Sequence, residues 1–200
     1  MSDFFNMNLL SRLRFTFISL LILSHLACSN DTDSEQTTTL RHTQIGWSAY
    51  NSGNFTQALL SFERALKVDP EFADAHNGVG WSNLSLSLSL QFSQESFQNA
   101  VKIDPTNADA WVGLANVLYL RNKNQTDFES AIRAIDNALQ GDEQYLYRHD
   151  YFSKANLFAL KAACYYYLRD NDKAKNEINN TLSLDDKNST AIALQSLIRD

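Results

Sequence analysis

Residues 46–70 read Gly46-Trp-Ser-Ala-Tyr50-Asn-Ser-Gly53-Asn-Phe55-Thr-Gln-Ala58-Leu-Leu-Ser-Phe62-Glu-Arg-Ala65-Leu-Lys-Val-Asp69-Pro70, and their spacing predicts two helices joined by a tight turn. The second helix places Phe55, Ala58, Leu59, Phe62, Ala65 and Leu66 at helical intervals, one apolar stripe. Gly46 and Ala49 form a small-residue strip on the first helix, where another helix can come close. Gly53 supplies backbone freedom at the turn. Asp69-Pro70 marks a boundary, because proline disfavours helical geometry in the residue before it. Two helices cannot bury such faces alone, so similar neighbours are required.

The neighbours recur in register. The small residue of the first helix returns as Gly46, Gly80, Ala115 and Ala162, and that of the second as Ala58, Ser93, Ala131 and Ala174. Phe62 returns as Phe97, Ile135 and Ile178, and Ala65 as Ala100, Ala138 and Thr181. Pro70 returns as Pro105, then as Glu143 and Asp186. This pattern resembles the tetratricopeptide repeat, a helix–turn–helix unit. The resemblance implies an all-α, right-handed solenoid of about four units over residues 40–200, closed by a helix from Ser189 to Arg199. Units two and three have longer turns without glycine. Leu84 to Leu90 alternates leucine and serine like a strand, but no partner strand is in prospect, so it reads as helix end and turn. An insertion around Gln144 to Lys154 carries Tyr145, Tyr147, Tyr151 and Phe152. Its aromatics either fill the gap between units three and four or offer a second contact surface.

Residues 1–27 stand apart from the repeats. Arg12 and Arg14 precede an apolar run, Phe15 to Leu26, that is too short for a bilayer span and has the layout of a secretory signal. Leu26-Ala27-Cys28 follows, and this arrangement resembles a bacterial lipoprotein signal, which implies acylation of Cys28. His25 and Leu26 depart from that family's preferred residues. Simple cleavage with secretion into the periplasm or beyond, and an uncleaved anchor, are the alternative fates. By the same resemblance, Ser29 after the cysteine suits the outer membrane facing the periplasm. Residues 28–39 read as a flexible polar tether. Asp3, Arg12 and Arg14 leave with the signal, so a formal charge of −6 becomes −7. Acylation would leave Cys164 alone, a packed thiol without a disulfide partner.

Composition and motifs argue against chemistry. No basic stripe is present to neutralise phosphates, so nucleic acid is not an expected partner. His42, His76, Trp111 and Phe158 share one repeat position, which reads as a packing slot. His149 lacks a second ligand at metal spacing. Gly78-Val-Gly80 is not a phosphate loop, and no serine has a nucleophile-elbow setting. The expectation is no enzyme, no catalytic residue, no cofactor, no metal and no small-molecule substrate.

Binding is the remaining role. The family's first helices line a face on which partner peptides lie, and there Trp47 recurs as Trp81, Asn116 and Ala163, and Tyr50 as Leu84, Tyr119 and Tyr166. Trp47, Tyr50, Trp81, Leu84, Asn116, Tyr119 and Tyr166 are therefore the candidate partner groove, with aromatic anchors. The competing reading packs these aromatics between adjacent first helices. The expected function is a protein- or peptide-binding scaffold, lipid-anchored at the bacterial envelope and serving assembly, secretion or pilus biogenesis. The alternative is a structural subunit of a larger envelope complex.

Overall fold

Each repeat builds two helices because its caps and turns agree with its apolar periodicity. The computed structural model describes residues 34–141 and 153–198, where nine helices and no strand occur. They are α1 over 34–51, α2 Phe55–Val68, α3 Ala73–Ser85, α4 Leu90–Ile103, α5 Ala108–Arg121, α6 Gln125–Gln140, α7 Lys154–Tyr167, α8 Asn171–Leu184 and α9 Ser189–Ile198. Consecutive pairs form four units, with α9 as the closing helix. Cys28 with its apolar leader and the aromatic insertion lie outside the described residues.

The start of α1 corrects the expected tether. Residues 34–39 are helical. Thr38 and Thr39 donate their hydroxyls to the carbonyls of Ser34 and Glu35 at 2.8 and 3.0 Å, and Thr39 is buried. Hydroxyls that bond back one turn let a polar segment lie on the apolar core.

The turn inside every unit contains one left-handed residue: Gly53 (φ 75°), Ser87 (54°), Asn122 (40°) and Arg169 (62°). In units one, two and four the turn closes the first helix by the same paired bonds. Gly53, Ser87 and Arg169 donate to Tyr50, Leu84 and Tyr166, while Asn54, Leu88 and Asp170 donate to Ala49, Asn83 and Tyr165. The next helix then starts on a side-chain cap. Asn54, Ser89, Asn124 and Asp170 accept the N–H of Gln57, Phe92, Asp127 and Lys173. Leu84 to Leu90 is accordingly helix end, turn and helix start.

The core divides into two ways of packing. In units one and two, Phe62 and Phe97 are fully buried against glycines. A methyl placed on Gly46 or Gly78 would lie 2.6 or 2.4 Å from the Phe62 ring, and on Gly80 or Gly113 2.6 or 2.3 Å from Phe97. In units three and four the rings become Ile135 and Ile178, and the glycine positions become Ala115 with Leu160, and Ala162 with Leu194. These side chains cluster correspondingly, Ala115, Ile135 and Leu160 in one core and Ala162, Ile178 and Leu194 in the other.

Candidate interaction face

The first helices α1, α3, α5, α7 and α9 carry the predicted groove, and the structure sorts its residues into two groups. Trp47 packs edge-on against Phe62 at 4.8 Å and donates its indole N–H to Asp74 Oδ2 at 3.0 Å. Trp81 repeats this with Phe97 at 5.4 Å and Asp109 Oδ2 at 3.1 Å, and Asn77 Nδ2 donates to the same oxygen at 2.6 Å. Their exposures are 9% and 1%. Neither indole is an open groove anchor; they join unit one to unit two and unit two to unit three. A solenoid helix meets neighbours on both flanks, so the side away from its own partner helix faces the next first helix.

Tyr50 is buried and bonds through Oη to Ser85 Oγ at 2.9 Å. Leu84 is half-buried in a shallow hollow with Ser87, Leu90 and Leu120. Tyr166 is half-buried, edge-on to Tyr167. Only Asn116 and Tyr119 of the predicted set meet at one open site, a cavity of about 310 Å³. It is walled by Asn116, Tyr119 and Leu120 of α5, Asn156, Ala159, Leu160 and Ala163 of α7, and Asn188 and Thr190 at the start of α9. No lining side chain is charged. The volume is at the lower end of the roughly 300–1,000 Å³ of ligand pockets. Burial and the neighbouring Tyr167 push the Tyr119 phenol up to about 12, so it stays protonated at neutral pH.

Sequence reasoning missed Asn156, Asn188 and Thr190. The available signal was the repeat position two residues before His76, Trp111 and Phe158, which holds Asp74, Asp109 and Asn156. The histidine–aromatic slot also does more than pack. His76 Nε2 and Trp111 Nε1 bond the carbonyls of Pro70 and Pro105 at 2.8 and 2.9 Å, holding the loop between units. Trp111, expected in the interior, is half-buried and more open than Trp47 or Trp81. Cys164 is fully buried, and burial pushes its thiol up to about 12, which suits a packed thiol and no nucleophile. Among the described residues, no cluster of three or more His, Cys, Asp or Glu side chains is arranged to hold a metal ion, and no helix is long and apolar enough to cross a membrane.

Helix pairs stacked in register, closed by a single helix, define an α-solenoid of the interaction-scaffold class. The tetratricopeptide repeat family matches residues 43–88 and again 96–132, and the chain is a tetratricopeptide repeat protein. No curated protein matches. Among solved structures, the MamA protein is similar at 22% identity and TM-score 0.65, with 80% of each chain covered. The pilF protein of Pseudomonas aeruginosa is similar at 21% identity and TM-score 0.64, over 82% of this chain and 69% of that one. PilW, described as a widely conserved type IV pilus biogenesis factor, is 20% identical with TM-score 0.61, over 80% and 70%. At these identities the likeness is one of fold.

Proposed function

We propose that the chain is a protein- or peptide-binding scaffold held at the bacterial envelope through an acylated Cys28, serving envelope assembly, secretion or pilus biogenesis. The uncharged cavity on α5, α7 and α9 carries the binding part of this reading, because apolar and amide groups converge there. The arginine-containing leader ahead of Cys28 supports the address. The pilus-biogenesis description of PilW, a fold relative, supports the setting.

A photo-crosslinking side chain at Leu120, 53% exposed on the cavity wall, tests the face, with Leu60 of α2, 44% exposed, as the control. A discrete adduct at Leu120 and none at Leu60 is the expected result; none at Leu120 in intact cells would refute the binding face. Cys28→Ser should move the protein from membranes to the periplasmic fraction, and unchanged retention would refute the lipid anchor. Ile192 and Leu197 of α9, 48% and 59% exposed, favour a second reading, a subunit whose closing helix is covered by another protein. A stable monomer in light scattering counts against it.

A further inference from the structure

The cavity lies where two units of this same chain hold a tryptophan. Slot by slot, Trp47 meets Asp74 and Trp81 meets Asp109 across consecutive first helices. At the next two junctions the same positions are Asn116 with Asn156, and Ala163 with Thr190. All four of those residues line the cavity. Two indoles give way to an amide and a methyl, while the acceptor positions Asp74 and Asp109 become Asn156 and Thr190, which are no larger, and the open space lies between them.

We propose that the cavity is an emptied tryptophan slot and that it takes an indole side chain presented by the partner polypeptide, its N–H donated to Asn156 Oδ1. The proposal rests on the scaffold reading of this face and names the chemistry it recognises. Asn156 Oδ1 accepts a single long bond, 3.3 Å from Asn188 Nδ2, and a carboxamide oxygen has two lone pairs. A neutral amide replaces the carboxylate of Asp74 and Asp109, so a partner's indole would bury no charge. Tyr119 on one wall offers a ring and Leu160 on the other an aliphatic face, where Trp47 and Trp81 have the rings of Phe62 and Phe97.

The test uses the full chain and 3-methylindole, the tryptophan side chain alone, followed by nitrogen–proton NMR. Shifts should centre on the side-chain amides of Asn116, Asn156 and Asn188, with a dissociation constant on the order of 1 mM, as befits a small fragment. The N-methylated 1,3-dimethylindole should bind roughly 3–10-fold more weakly. Asn116→Trp with Asn156→Asp rebuilds the internal clasp and should abolish probe binding. Should that variant misfold, Asn156→Leu removes the acceptor alone and should erase the preference between the two probes. Equal binding of both probes to the unaltered chain, shifts away from the cavity, or binding that survives the rebuilt clasp would each overturn the indole slot. Probes that miss the cavity while Leu120 still crosslinks a partner defeat the slot and leave the scaffold. Probe binding without any crosslinked partner leaves the slot and defeats the scaffold.

Discussion

Phe62 lies where two helices leave it no Cβ to meet, and that decides what glycine does here. In a helix interior, alanine is better than glycine by about 1 kcal/mol. At Gly78 the added methyl would sit 2.4 Å from a ring that is fully buried and has nowhere to move. Overpacking costs about 1–3 kcal/mol, so it outweighs propensity. Gly78→Ala should therefore lower stability in urea denaturation, and Phe62→Ile in the same chain should recover part of the loss. Additive effects of the two substitutions would count against the glycine socket. Arg169 presents the opposite case, an exposed residue at φ 62°. Left-handed geometry costs a side chain about 1–2 kcal/mol. Arg169→Gly should raise stability by about 0.5–1 kcal/mol, with part of the relief lost to a freer unfolded chain.

Helix ends show what the sequence displays and what it conceals. Pro70 and Pro105 are visible boundary marks, and unit four has Asp186 there instead. The turn survives, because Asp69, Asp104 and Asp185 each accept the N–H two residues on, at 3.0, 3.0 and 3.1 Å. The repeating aspartate, one residue earlier, holds this turn in all three units. The start of α1 was hidden by its polar composition, and the burial of Trp47 and Trp81 by reading a helix as having one packed side. Asn116 and Tyr119 were legible as an open surface; their cavity was not, since it depends on α7 and α9 arriving with small residues. Between α5 and α6, Asp127 is buried, accepts the Lys123 N–H at 3.0 Å and pairs with Arg121. The hydrogen bond from Arg121 outweighs burial and holds its carboxyl below the ordinary 3.8. A lowered pKa means its stabilisation is complete above the ordinary carboxylate range and is lost as pH falls through the folded value. Asp127→Asn should cost about 1–2 kcal/mol at pH 7, the lower range for a pair whose arginine is partly exposed. Urea titrations at pH 7 and pH 3 should show the gap between variant and parent closing.

As a whole, the array depends on its last helix. Ala191, Leu194 and Ile198 of α9 cover Ala162, Ala163, Ala174 and Ile178. Terminal caps keep such stacks soluble. Deleting 189–200 should expose that face and give association in light scattering, whereas a monomer with unchanged melting would contradict the capping role. The joints between units also differ in kind. The first two are made by indole–carboxylate bonds set among packed rings. The joint from unit three to unit four includes Lys161, whose ammonium reaches Asp136 of α6 at 2.7 Å and Glu177 of α8 at 3.1 Å. Burial pulls that ammonium's pKa down, and hydrogen bonds to the two carboxylates outweigh it and hold it above its ordinary value. Mobile ions shorten the reach of such attractions from about 10 Å at 0.1 M to about 3 Å at 1 M. Partly buried pairs are screened less than exposed ones, so concentrated salt should speed amide exchange modestly in α7 and α8, while α3, whose Trp81 bond is set among packed rings, should stay as protected as before. The chain should thus have a brine-sensitive end and a brine-indifferent one, and its open cavity lies at the sensitive end.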